Sequence, residues 1–260
     1  MYNWILRHES MRNIAVLSIF LNVILLSVIL IYAGKRGYLG RTLVMANANY
    51  LELPTDTLSS QSWWQDEVQY QVAVTQNTRI KTCFLGDSIT SMLGNTLGDN
   101  YFNFAIDGMS AISQLQQLKF LTAAKVKCDR AIIALGTNDA IYKTMDEHFF
   151  KNMQQVIGIV KNDLGAKQVV LLPAFYSTFE ASRDIIMAAP IKRVDRFNQL
   201  IRQVAVVEKL SVDGAPVQPL FEGKALKANL TSDGVHLNLD GKKIYREGLL
   251  KIVADLERKI

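Results

Sequence analysis

The chain has 260 residues, enough for one well-buried domain with an appendage, and its 49% hydrophobic content is at the upper end of the soluble range. Its net charge of +5 is local: residues 1–41 hold five Lys or Arg and one Glu, and the remainder nearly balances, which excludes a basic nucleic-acid surface. Two cysteines, with no Cys-x-x-Cys and no His-Glu-x-x-His, exclude a disulfide framework and a recognisable metal site, so neither metal nor cofactor is expected.

Ile14 to Ala33 carries no charge, and only Ser18, Asn22 and Ser27 are polar. At 1.5 Å per residue it reaches roughly 30 Å, the thickness of a bilayer core. It exceeds the apolar region of a leader peptide, and no small-residue cleavage site follows directly. One N-terminal transmembrane helix is expected. The flanking charges nearly tie, Arg7 and Arg12 against Lys35, Arg36 and Arg41. A short N-terminal arm fits a signal anchor, which puts the catalytic part outside the cytoplasm of a single-pass membrane protein. The expected organisation is 1–33 arm and anchor, 34–78 juxtamembrane stalk and amphipathic helix, and 79–260 catalytic domain. Thr57 to Thr75 reads as the helix, with Trp63, Trp64, Val68 and Val72 on its apolar side, packed on the domain and not lying at the membrane surface.

From residue 81 short apolar runs alternate with longer amphipathic segments. Strands are expected at Thr82–Leu85, Tyr101–Ile106, Ala131–Leu135 and Val169–Leu172, with a short fifth near Leu210–Val212. Helices are expected near 110–124, 146–163, 190–208 and 240–258, the last capped by Asp240. Strand then helix, repeated, predicts an α/β fold with a parallel sheet covered on both faces. Cys83 and Cys128, each at an apolar run, read as two buried thiols. Ligands of such sheets bind beyond the carboxyl ends of the strands, and Ser88, Gly108 and Asn138 each follow an apolar run by a few residues.

Those positions sit in four blocks: Phe84-Leu85-Gly86-Asp87-Ser88-Ile89-Thr90, Asn103-Phe104-Ala105-Ile106-Asp107-Gly108, Gly136-Thr137-Asn138-Asp139 and Asp233-Gly234-Val235-His236. With these blocks in this order, residues 80 to 245 resemble the SGNH (GDSL-type) hydrolases. The resemblance implies a three-layer, flavodoxin-like fold with a mainly parallel five-stranded sheet. It implies a catalytic triad of Ser88, Asp233 and His236, and an oxyanion hole of the Ser88 and Gly108 N–H groups and the Asn138 side-chain amide. The residues taken alone allow plainer roles: Ser88 as a helix N-cap, Gly108 as a turn glycine, Asn138 as a loop residue, Asp87 and Asp139 as braces. Of three histidines, His8 precedes the apolar segment and His148 starts an amphipathic helix, leaving His236 as the base. Ser110 is the nearest rival nucleophile, without the Gly-x-Ser-x-Gly elbow.

The expected activity is a serine esterase acting on carboxylic esters, with short or medium acyl chains or O-acetyl groups. Transfer to an envelope glycan, a lysophospholipase and a non-catalytic tethered binding module are the alternatives. Phe175, Tyr176 and Phe179, after the fourth strand, are candidates to line an acyl slot. The expected partners are an ester substrate, an acylated glycan or lipid, and the membrane, with no nucleic acid.

Overall fold

The computed structural model describes residues 56–142 and 144–258, with Ser18, 21–28 and 31–32 upstream. The chain divides into two compact units, Met1–Glu52 and Leu53–Ile260. In the first unit the described residues are helical. Among the described residues no helix is long and apolar enough to cross a membrane. The rest of the Ile14–Ala33 segment, His8 and the stalk up to residue 55 lie outside the described residues.

The second unit is built on one parallel sheet. Its strands are β1 (Arg79–Gly86), β2 (Tyr101–Asn103), β3 (Lys127–Ala134), β4 (Gln168–Leu171) and β5 (Ser211–Val212), in the order β2-β1-β3-β4-β5. The near-continuous apolar strands follow from burial of both faces. Cys83, Leu85, Ala131, Ile133, Val169 and Leu171 point into one core, and Phe84, Ile132, Ala134 and Val170 into the other. Side-chain alternation along a strand thus divides β1, β3 and β4 between two hydrophobic layers.

The helices are α1 (Ser62–Thr75), α2 (Ser88–Ser91), α3 (Ala111–Ala123), α4 (Thr137–Ile141), α5 (Asp146–Asn162), α6 (Ile191–Glu208) and α7 (Leu239–Glu257). The first core gathers α1, α3, α5 and α6, where Phe149 and Phe197 meet with ring centroids 4.6 Å apart. The second gathers α7 and the short turns at 215–230. A two-stranded hairpin, Phe221–Glu222 with Ala225–Leu226, has no counterpart in the sequence reading.

Three expectations need correcting. The last helix is capped by Asn238, whose side chain accepts from Gly241 N, and not by Asp240. The helix after residue 57 begins at Ser62, behind a single turn at Leu58–Ser60. It belongs to the compact unit that carries the sheet: Trp64 and Val68 are each 1% exposed, and the Trp64 indole N–H donates to Met109 Sδ at 3.3 Å. Cys83 and Cys128 are not two thiols but a disulfide between β1 and β3. That bond is diagonal to the ladder, whose register sets Cys83 against Ala131 and Cys128 against Ile80, and it is the ladder that positions the site below.

Candidate active site

β1 ends at Gly86, where a Cβ would lie 2.9 Å from the Ala134 carbonyl oxygen and 2.9 Å from Thr90 Oγ1. The position demands glycine for space. The chain then turns directly into α2. Asp87 is the N-cap of that helix, its carboxylate accepting from Ile89 N at 3.1 Å, so the cap falls one residue before Ser88. Ser88 occupies the first helical position, partly exposed at the sheet's carboxyl edge.

His236 arrives from a loop closed on itself. Thr231 Oγ1 donates to the His236 carbonyl at 2.6 Å and accepts from Gly234 N at 2.9 Å. The Gly234 carbonyl accepts from Thr178 N at 2.8 Å, and a Cβ on Gly234 would stand 2.8 Å from Ala181 Cβ, so this loop lies against the segment following β4. His236 Nε2 stands 3.1 Å from Ser88 Oγ, and Nδ1 stands 2.7 Å from Asp233 Oδ2. The other Asp233 oxygen accepts from Val235 N at 2.9 Å and His236 N at 2.7 Å. Partial burial pushes the Asp233 carboxyl pKa up. The His236 ring and the two backbone donors outweigh that and hold it below the usual carboxylate value. An ionised Asp233 fixes the His236 ring with Nδ1 protonated and leaves Nε2 free to accept the serine proton.

The backbone N–H groups of Ser88 and Gly108 have no acceptor among the described residues. Gly108 has φ +76°, a left-handed conformation that favours glycine, and its carbonyl accepts from the Tyr142 hydroxyl at 3.0 Å, which fixes that peptide plane. Asn138 follows Gly136 (φ +118°) at the end of β3 and donates one amide N–H to the Met109 carbonyl at 3.0 Å. The amide group carries a second N–H. Three candidate donors thus follow the carboxyl ends of β1, β2 and β3, the sheet edge at which Ser88 stands.

Two buried carboxyls lie beneath. Burial raises the pKa of Asp87 to about 7, against hydrogen bonds from Ile89 N and the Thr137 hydroxyl. Thr137 Oγ1 in turn accepts from Phe175 N at 3.0 Å. Asp139 is raised to about 7 by the same cause and accepts from Ala111 N at 3.0 Å. Both brace strand-to-helix turns. Ser110, the rival nucleophile, is the N-cap of α3 in a capping box with Ser113, and its hydroxyl bonds Asp56. His148 lies in the first turn of α5, exposed. Among the described residues no cluster of His, Cys, Asp or Glu is arranged to hold a metal.

The three aromatic candidates part company. Phe175 is 5% exposed and packs edge-on against Phe221 and Tyr245, so it belongs to the second core and not to a substrate wall. The Tyr176 hydroxyl is bonded to Asp195. Phe179 is 52% exposed beneath the Arg183 guanidinium, 4.2 Å from its ring centroid. The sequence reading missed the service of this segment to the histidine loop through Thr178. The signal available for it was Gly234, a residue without a side chain between Asp233 and His236.

A model of the GDSL-like Lipase/Acylhydrolase family matches residues 84–244. A GDSL-like lipase from Bacteroides thetaiotaomicron is similar in structure, with 20% identity and a TM-score of 0.60 over 74% of this chain and 97% of that one. A lipase/acylhydrolase from Enterococcus faecalis has 18% identity and a TM-score of 0.53 over 67% of this chain and 95% of that one. An acetylxylan esterase from Geobacillus stearothermophilus has 18% identity and a TM-score of 0.50 over 66% and 93%. At these identities the likeness is one of fold. A search of curated proteins finds no match.

Proposed function

Because the chain belongs to the GDSL-like lipase/acylhydrolase family and is thereby an ester-bond hydrolase, we propose that it is a membrane-tethered serine esterase working through an acyl-enzyme on Ser88. The reading rests above all on the 3.1 Å and 2.7 Å contacts that join Ser88, His236 and Asp233 in line. His236 Nε2 takes the Ser88 proton as Oγ attacks the ester carbonyl carbon. The carbonyl electrons move onto oxygen, where the N–H groups of Ser88 and Gly108 and the Asn138 amide stabilise the charge. The intermediate collapses, His236 passes its proton to the departing alcohol, and the acyl group remains on Ser88. Water, deprotonated by His236, then releases the acid. Asp233 stabilises the imidazolium throughout.

The acyl group proposed is acetyl or short to medium in length. This is supported by the diversion of Phe175 into the core and of Tyr176 to Asp195, which removes two of the three aromatic walls a long acyl chain would need. The tether is proposed to be the uncharged Ile14–Ala33 segment, with the catalytic unit outside the cytoplasm.

The test is a series of nitrophenyl esters from acetate to palmitate, with fluorophosphonate labelling of the full chain and its Ser88→Ala variant. Turnover greatest on short esters, with labelling lost in Ser88→Ala, supports the reading. A well-folded wild type that neither turns over esters nor takes the label defeats it. Membrane fractionation and protease protection test the tether and its orientation.

A further inference from the structure

Between α1 and the turn that follows Ser88 lies a cleft of about 360 Å³ that the chemistry above does not use. One wall is α1, through Trp63, Glu67 and Tyr70. The other is the turn after α2 with the chain leading to Gly108, through Ser91, Asn95 and Asp107. Its volume is in the range of small-molecule sites, ~300–1,000 Å³. Its lining adjoins the reacting residues in the chain: Ser91 is three residues after Ser88, and its hydroxyl donates to Asp107, the residue before Gly108. The α1 wall lies outside residues 84–244, so it is not part of what the family match covers.

This wall is held in place from within. Glu67 Oε1 accepts from Gln71 Nε2 at 3.1 Å, and Gln71 Oε1 accepts from Gln117 Nε2 at 2.7 Å. Gln117 Nε2 also donates to the Phe104 carbonyl at 2.7 Å, on the stretch that runs from β2 to Gly108. Gln71 and Gln117 are 1% and 0% exposed. Buried amides linked in series fix α1 to the site, because an unpaired buried amide is costly. On this fixed helix Trp64 and Val68 are buried, yet Trp63 and Tyr70 stay 49% and 55% exposed at the cleft.

We propose that this cleft binds the sugar carrying the ester, so that the alcohol side of the substrate is an O-acylated glycan. The proposal rests on the esterase reading of Ser88. A sugar ring offers an apolar C–H face to Trp63 or Tyr70 and a rim of hydroxyls to Glu67, Asn95 and Asp107, which accept or exchange hydrogen bonds. An acyl chain would leave the two carboxylates desolvated, with no hydroxyl to donate to their remaining lone pairs. A phosphate or fatty-acid headgroup would meet two like charges with no Lys or Arg in the lining. Glu67 and Asp107 each already accept a bond from a neighbour, Gln71 and Ser91, which orients them as fixed acceptors and suits hydroxyl donors.

Binding is measured by calorimetry on the full-length Ser88→Ala protein in detergent, with O-acetylated xylotetraose and O-acetylated chitotetraose as probes. At least one is expected to bind saturably. Adding Trp63→Ala or Tyr70→Ala is expected to weaken it tenfold or more, and Glu67→Gln about threefold. The ratio of kcat/KM on that oligosaccharide to kcat/KM on nitrophenyl acetate is expected to fall by a similar factor in the Ser88 background. Neither oligosaccharide binding, or binding indifferent to both aromatic substitutions, overturns the proposal. So does Trp63-dependent binding of phosphocholine in place of the sugars. If Trp63→Ala lowers the melting temperature by several degrees, Tyr70→Ala decides. Should the wild type turn over no ester, the esterase reading fails by itself, and the calorimetry still decides the cleft.

Discussion

The hydroxyl of Tyr245, on α7, lies 2.8 Å from that of Thr90, two residues after Ser88, and both residues are within 1% of full burial. The last helix therefore steadies the turn that presents Ser88 from below. Burial raises the Tyr245 pKa well above that of a free phenol, so it stays protonated across the working range. Tyr245→Phe leaves the Thr90 hydroxyl buried without its partner, at a cost of about 1–3 kcal/mol. A lower urea midpoint at unchanged m-value, with a smaller loss of kcat, is the expected outcome.

Ser88→Ala should lower kcat/KM on nitrophenyl acetate by at least ~10³-fold while the melting temperature stays within a few degrees, because Asp87, not Ser88, caps α2. His236→Ala should behave alike. Asp233→Asn should be milder than His236→Ala, since the base remains and only its orientation and charge partner are disturbed. Stopped assays with each purified variant check the ranking.

Asn138→Ala should reduce kcat by ~10²–10³-fold with a smaller change in KM, the signature of a donor that meets charge formed in the transition state. It also strips the Met109 carbonyl of its 3.0 Å partner, so a modest loss of stability should accompany it. A change confined to KM would assign Asn138 to ground-state binding.

Asp87 and Asp139 titrate near 7 in the fold, against about 4 for a free carboxyl. Between those values the folded chain keeps protons that the unfolded chain has released. Their contribution to stability is complete below about pH 4 and is lost as the pH rises through 7. Asp233, with its lowered pKa, has the opposite sign: its contribution is present above about pH 4 and lost as the pH falls through its folded value. Asp139→Asn should therefore lose less stability than the wild type between pH 4.5 and 8, read from urea midpoints at each pH.

Trp64→Ala should cost about 3–5 kcal/mol, as expected for a fully buried indole. The effect would show that the helix before the family-matched region is structural to the catalytic unit. A loss under 1 kcal/mol would return α1 to the status of a removable appendage.

Much of this was legible in the sequence because strand and helix periods are local. Helices expected at 146–163 and 190–208 occur at Asp146–Asn162 and Ile191–Glu208, and the fifth strand appears at Ser211–Val212. The site blocks were legible for a different reason: chemistry fixes residue type where packing tolerates exchange. What failed needed contacts distant in sequence. Phe175 and Tyr176 had the composition of a pocket wall, but Tyr245 and Asp195 had prior claim on them. Asp87 and Asn238 took the caps assigned to neighbours, a shift of one or two residues that periodicity cannot resolve. Two cysteines 45 residues apart carried no mark of their pairing.

The contact between Ser88 and His236 spans 148 residues of chain. During synthesis the nucleophile and its sheet strand emerge long before their base, and the α7 helix that steadies the turn from below emerges after both. A growing polypeptide therefore carries an inert serine until Asp233, His236 and the helix Leu239–Glu257 have left the ribosome. Ester cleavage then cannot precede the synthesis of that stretch, and its onset in a timed translation would mark the moment at which α7 docks.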